Sequence, residues 1–266
     1  MINTGSALAL YGFQEVPLDL EAKTNDYGIK LISVPKQLSK TNLGSQLREL
    51  VNNTSALLIF KVDKDLYTIV QFYFAANKKA YFISEDDNIS SLPKGIKILP
   101  NTKKVLKELL KESESVVIDS KIGKLELRFN GFGLTYLKTT NKNTSERKLS
   151  KQAQKVNNQL ESYFEGKRKT FSLKIYLKGT EFQRRVWNRL VKIPYGQTCS
   201  YGDIASKLGD KKASRAVGLA NSSNPIWIVI PCHRVLSKEG DLTGYAGGLK
   251  LKQSLLDLES KQMSLF

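Results

Sequence analysis

Runs of β-branched and aromatic residues broken by short polar turns occur twice in this chain, and after residue 178 they give way to helical spacing. This change of period limits the fold more than any single motif. A short apolar or alternating run reads as strand, and apolar residues three and four apart read as helix. Over residues 55–84 the segments ALLIFKV, LYTIVQFYF and KKAYFIS, separated by DKD and AANKK, predict a small antiparallel meander, and a helix is expected over 103–111. The pattern then restarts with SVVID, a turn at 120–123, KLELRF and GLTYLKT, a second meander. The charged KESES lies between the two, so a boundary is expected near residue 113. Helical spacing over 149–164 and the strand-like TFSLKIYL complete an α+β subdomain.

From Gly179 onward the elements are short helices. Thr180 is placed to cap EFQRRVWNRLVK, whose Phe182, Val186 and Leu190 share a face and which Pro194 and Gly196 end. Ser200 begins YGDIASKLG, closed by Gly209, and ASRAVGLAN follows. Two short helices joined by a glycine-containing turn are the pattern of a helix-turn-helix. In the second, Ala213, Ser214, Ala216, Gly218 and Ala220 surround the single long side chain of Arg215, so its backbone can approach a partner surface closely.

Two cysteines and one histidine among 266 residues exclude a disulfide framework and the zinc patterns built from His with Cys. A reducing, cytoplasmic setting is expected. No stretch approaches the roughly 18 apolar residues of a membrane span, and the N-terminus carries no basic leader. The net charge of +17 is uneven: residues 1–113 hold 15 basic and 12 acidic side chains, and residues 114–266 hold 27 and 13. A polyanion is the expected partner of the second part, against the plainer reading of a lysine-rich proteome.

The single histidine stands beside a cysteine in IWIVIPCHRV. By composition IWIVI is a buried strand that Pro231 ends, leaving Cys232 where the strand emerges. An isolated cysteine there is ordinarily inert core. His233 and Arg234 argue otherwise, because both are costly to bury without partners. An imidazole able to take the thiol proton raises the reactive thiolate fraction, provided the chain turns at Pro231 or a water relays the proton. Glu259 and Asp257 are both candidates to orient that imidazole. A cysteine hydrolase also uses this pair, but draws it from distant segments.

The runs GTEFQRRVWNRLVKIPYGQTCSYGDIA, ASRAVGLANSSNPIWIVIPCHRV and GYAGGLKLKQSLLDLE closely resemble the O6-alkylguanine-DNA alkyltransferases, over about residues 114–260. The resemblance implies an α+β fold with an RNase-H-like subdomain at 114–178 and a helical, winged helix-turn-helix-like alkyltransferase domain at 179–266. Residues 1–113 precede these as an additional, unassigned α/β module. It implies Cys232 as alkyl acceptor, His233 as water-linked base and Glu259 as its orienting carboxylate. Tyr201 would protonate the leaving guanine, and Asn224 would bind the cysteine and structure the turn. Arg215 would fill the vacated base stack, with Ser214, Ala216 and Tyr201 beside it on DNA. Tyr245, Val235 and Ala246 would line the base pocket.

The implied activity is irreversible, single-turnover transfer of an alkyl group from O6-alkylguanine in double-stranded DNA, with O4-alkylthymine as a second substrate. The resemblance implies no cofactor and no metal, since residues 114–180 contain neither Cys nor His. A monomer is expected, cytoplasmic and nucleoid-associated, or nuclear in a eukaryote, with any further partner engaged through residues 1–113. The alternative is a non-catalytic alkylated-base-binding protein that recruits other repair factors, which the presence of Cys232, His233 and Glu259 disfavours. In VPLDLEAK, Asp19 and Glu21 read as a solvated edge strand rather than a nuclease metal site.

Overall fold

The computed structural model describes residues 102–146 and 148–263, together with residues 6–11, 29–33, 56–59, 79–83 and 96–99. The chain divides into two compact units, one spanning residues 5–112 and the other residues 113–266, with Asn130–Phe132 grouped with the first.

The first unit holds strands β1 (Ser6–Tyr11), β2 (Ile29–Ser33), β3 (Ala56–Ile59), β4 (Lys79–Ile83) and β5 (Lys97–Leu99), followed by helix α1 (Thr102–Leu110). The strands form one parallel sheet in the order β2-β1-β3-β4-β5. The antiparallel meander expected over 55–84 is therefore corrected: β3 runs parallel to β4, with Leu57 opposite Ala80 and Leu58 opposite Tyr81. Parallel neighbours need a crossover of a dozen or more residues, so the chain between them is a connection and not a hairpin turn. The segment LYTIVQFYF, expected as the middle strand, lies outside the described residues, as do Asp19 and Glu21. Consecutive Ala80 and Tyr81 are both buried. At this point β4 is covered on both faces, in keeping with its reading as an unbroken apolar run.

In the second unit, β6 (Glu114–Ile118), β7 (Leu125–Asn130) and β8 (Gly133–Thr139) form a sheet in that order, with β6 antiparallel to β7. Helix α2 (Lys151–Phe164) starts at Ser150, whose hydroxyl accepts from Ala153 N, and buries Ala153, Val156, Leu160, Tyr163 and Phe164 along one side. TFSLKIYL does not extend the sheet as a full strand. It contributes a single parallel bridge to β8, in which Leu134 N donates to Lys174 O and Tyr176 N donates to Leu134 O. Further along β8, Leu137 N donates to Pro225 O and accepts at its own carbonyl from Trp227 N. These two bonds tie the sheet to the segment that leads into Cys232.

Helix α3 (Glu181–Leu190) has a reciprocal cap: Thr180 Oγ1 accepts from Gln183 N, and Gln183 Oε1 accepts from Thr180 N. Its buried face is Val186, Trp187 and Leu190. Strand β9 (Cys199–Ser200) leads into α4 (Tyr201–Lys207), capped in the same manner by Ser200 and Asp203. After Gly209, whose φ of 92° suits a residue without Cβ, comes α5 (Ser214–Ser222). The indole of Trp187 donates to Ala220 O at 2.8 Å and locks α3 to α5. A 3-10 turn (Cys232–Arg234), strand β10 (Val235–Leu236) and helix α6 (Leu249–Met263) complete the unit. Cys199 sits in β9, paired with Val235 of β10, while Ser200 performs the capping.

Candidate active site

IWIVI is buried throughout, but it is not a strand. Only Ile226 bridges to β8, at Leu137. Ile228 has a φ of 70°, and Val229 N donates back to Trp227 O at 2.7 Å, closing a γ-turn of positive φ. A β-branched residue in that conformation costs on the order of 1–3 kcal/mol and persists only where its surroundings hold it. The holding groups are apparent: Ile230 N donates to Ile226 O, and Asn224 donates from Nδ2 to Ile230 O at 2.9 Å while accepting from Ile226 N at Oδ1. At Pro231 (φ −81°, ψ 64°) a second γ-turn, of ordinary sign, lets Cys232 N donate to Ile230 O. The chain therefore turns at Pro231, as the Cys–His pair requires, and enters the 3-10 turn.

Cys232 is buried, with Asn224 Nδ2 3.0 Å from its Sγ and Asn221 Nδ2 donating to its carbonyl. Burial pushes the thiol up to about 11, against the opposing pull of Asn224, Tyr245 and the more distant Lys252 ammonium. At neutral pH the resting residue is a protonated thiol. His233 is fully buried, and burial lowers its pKa despite the Glu259 carboxylate beside it, so the resting imidazole is neutral. Its Nε2 lies 2.9 Å from Glu259 Oε1. An ionised carboxylate only accepts, which places the proton on Nε2 and leaves Nδ1 as the basic nitrogen. Nδ1 has no hydrogen-bond partner among the described protein atoms. It is the atom able to receive the thiol proton.

Glu259, and not Asp257, is the orienting carboxylate; Asp257 is bonded by Gln253 on the same helix. Burial alone would raise the Glu259 pKa. The bonds from His233 and Arg234 outweigh it and hold the carboxyl at about 2. Arg234 reaches both oxygens, Nε to Oε2 at 2.8 Å and Nη2 to Oε1 at 2.9 Å, and its Nη1 donates to Ile193 O. Gly196 N donates to Oε2 and the Tyr163 hydroxyl to Oε1. The side chains of Arg234, Tyr163 and Lys252 were not among the expected site residues. Arg234 carried a sequence signal, namely a charge beside His233 in an otherwise apolar stretch, while Lys252, in GLKLKQS, carried none. Lys252 is fully buried, donating from Nζ to the carbonyls of Val235 and Thr243. Tyr163, 96 residues from Glu259, carried none.

The remaining expected residues divide between the pocket and the surface. Tyr245 packs on Trp227 with ring centroids 5.3 Å apart, and the Lys138 ammonium sits 5.4 Å over the same indole. Val235 is buried and offers its carbonyl, while Ala246 is exposed. Tyr201, at the start of α4, directs its hydroxyl to Thr243 O at 3.3 Å. On α5, Arg215 and Ala216 are exposed, Ser214 is half-buried, and Leu219 is the most exposed large apolar side chain among the described residues. The structure thus brings Cys232, Asn224, His233, Glu259 and Tyr245 together inside, and sets Arg215 and Ala216 on the outside.

The second unit is similar to known proteins. Residues 115–177 match the ribonuclease-like domain of 6-O-methylguanine DNA methyltransferase, and residues 181–261 match its DNA binding domain. A methylated-DNA–protein-cysteine methyltransferase of Mycobacterium leprae is 45% identical over 151 residues, 55% of this chain and 92% of that protein. One from Methanosarcina acetivorans is 59% identical over 101 residues, 38% of this chain and 65% of that protein. A crystal structure of Mycobacterium tuberculosis OGT in complex with DNA superposes with a TM-score of 0.50 at 44% identity, covering 55% of this chain and 92% of that one. The matches cover the second unit, and this chain belongs to the 6-O-methylguanine DNA methyltransferase family.

Proposed function

We propose that this protein repairs DNA by moving an alkyl group from guanine O6 in a duplex to Cys232, once per molecule and without a cofactor. The observation that carries the reading is the buried chain of contacts Asn224–Cys232 and His233–Glu259, in which a thiol and a basic imidazole nitrogen are both held neutral. Glu259 fixes the His233 tautomer, so Nδ1 takes the thiol proton, directly or through water, as Sγ attacks the alkyl carbon. The carbon–O6 bond breaks, the carbon–sulfur bond forms, and the electron pair leaves with guanine, which receives a proton from the Tyr201 hydroxyl. A thioether is a poor leaving group, so the alkylated protein does not reset.

Delivery of the base is the work of α5. The domain at 179–266 acts as a winged helix-turn-helix in which α4 and the turn at 208–213 present α5 to the minor groove. Ser214 and Ala216 allow close approach, and Arg215 enters the stack that the damaged base leaves. Unstacking costs a few kcal/mol, which an inserted side chain offsets. The excess of 27 basic over 13 acidic residues in 114–266 supports binding to the phosphate backbone. Among the described residues no helix is long and apolar enough to cross a membrane. Intact mass after exposure to O6-benzylguanine, followed by peptide mapping, tests the assignment. One benzyl group on Cys232 is expected; label on Cys199, or none, refutes it.

A further inference from the structure

The Glu259 carboxylate receives five donors: Tyr163, His233 and Arg234 on Oε1, and Arg234 and Gly196 on Oε2. Two carboxylate oxygens offer about four lone-pair positions, so the three donors on Oε1 compete. Each bond has the usual length for its donor, 2.7 Å from the Tyr163 hydroxyl and 2.9 Å from His233 and from Arg234, so all three are made at once. The Tyr163 ring is held by Phe171 and Tyr195, with centroids 5.5 and 5.9 Å away, so the hydroxyl cannot swing off without disturbing the packing. It comes from α2, in the ribonuclease-like region, and it is buried.

We propose that Tyr163 is a positioning residue through which the ribonuclease-like region governs the chemistry: by drawing electron density from Glu259 Oε1 it weakens that oxygen as an acceptor for His233 and restrains the imidazole as a base. Burial keeps the thiol protonated, and the restraint adds to this by making the imidazole a weaker acceptor of the thiol proton; a protonated thiol is protected from stray electrophiles and oxidants. The inference rests on the proposed roles of Cys232 and His233. The other charged and titratable groups around the pair are Arg234 and Glu259, Tyr195 near Arg234, Lys252 from α6, Tyr245 beside the thiol and Lys138 from β8. Lys252 and Lys138 act on the thiol electrostatically, while the Tyr163 hydroxyl is bonded to Glu259.

Tyr163→Phe keeps the ring and removes the donor. The pH–rate profile for transfer from O6-benzylguanine to the full chain should then show its acidic limb, set by protonation of His233, moved upward. The plateau rate should rise about two- to tenfold, the change expected of a general base strengthened by up to a pH unit or so. Incorporating 3-fluorotyrosine at position 163, a more acidic phenol and stronger donor, should move the limb downward and slow the plateau. A purely structural role would lower the melting temperature and leave the limb in place. An unmoved limb in both variants, or shifts of the same sign, overturns the proposal. Both outcomes are read with benzyl transfer to Cys232 intact, so they are distinct from failure of the acceptor assignment, in which no label reaches Cys232 in any variant.

Discussion

The interior around Cys232 and the exposed side of α5 lie in the same unit and are built on opposite principles. Inside, Asn224, Arg234, Lys252 and Glu259 are each buried and each bonded more than once. Outside, Arg215, Ala216 and Leu219 face solvent along one stripe, spaced one and four residues from Arg215. Removing Asn224, Arg234, Lys252 or Glu259 strands a charge or a polar group in a place water does not reach, so stability and chemistry fall together. In the proposed function, removing a side chain from the stripe leaves the free protein unchanged and is felt only when DNA is bound. In the proposed function, this difference separates residues that would make the reaction possible from residues that would deliver the substrate.

The largest effect expected is from Cys232→Ala, which abolishes transfer to both free base and duplex while leaving duplex affinity within about threefold, a difference of about 0.7 kcal/mol. Residual transfer, measured by intact mass, would break the comparison at its centre. Next is Glu259→Gln, which leaves Arg234 buried without its counter-charge. Such losses typically cost about 3–5 kcal/mol, so denaturant unfolding should reveal a strongly weakened protein as well as slow transfer.

How much of this was legible beforehand follows the same division. The cysteine and the histidine stand in a motif whose chemistry can be argued from residue types; those types leave Glu259 and Asp257 both open, and the resemblance singles out Glu259, Arg215 and Tyr201. The path of the chain into the site was not legible. IWIVI has every mark of a strand, yet Asn224 binds its ends to each other and forces Ile228 to a positive φ. Tyr163 was hidden because a tyrosine on the apolar side of a helix reads as core, and only tertiary packing carries its hydroxyl to Glu259. In the first unit, apolar runs with short polar gaps read as an antiparallel meander, since the pairing direction of strands buried on both faces leaves no mark in alternation.

A smaller effect, spread over pH, sharpens the contrast between inside and outside. His233 is held neutral, below its ordinary 6.5, so the unfolded chain binds the extra proton and stability is lost as pH falls below about 6.5. Glu259 is held at about 2 against 4.5, and its contribution is lost as pH falls from about 4.5 toward 2. Cys232, raised from 9 to about 11, acts in the other direction: the unfolded chain ionises first, and stability falls as pH rises through that interval. Melting temperature should therefore be highest between about pH 6.5 and 9, and Cys232→Ala should lessen the alkaline loss only between about pH 9 and 10, above which Tyr163, Tyr195 and Tyr245, all raised from 10 by burial, sustain it. The smallest effect expected is on the melting temperature of Arg215→Ala, within about 2 °C of the parent, in keeping with the roughly 0.5 kcal/mol range of exposed substitutions.

Arg215→Ala provides the most direct test of the division between chemistry and delivery, through the ratio of its transfer rates on an O6-methylguanine duplex and on free O6-benzylguanine. Free base needs no extrusion, so its rate should match the parent, whereas the duplex rate should fall about 10- to 100-fold, the equivalent of about 1.4–2.7 kcal/mol of lost support for the flipped base. Equal losses on the two substrates would contradict the account, because they would mean that the exposed helix shapes the reaction itself.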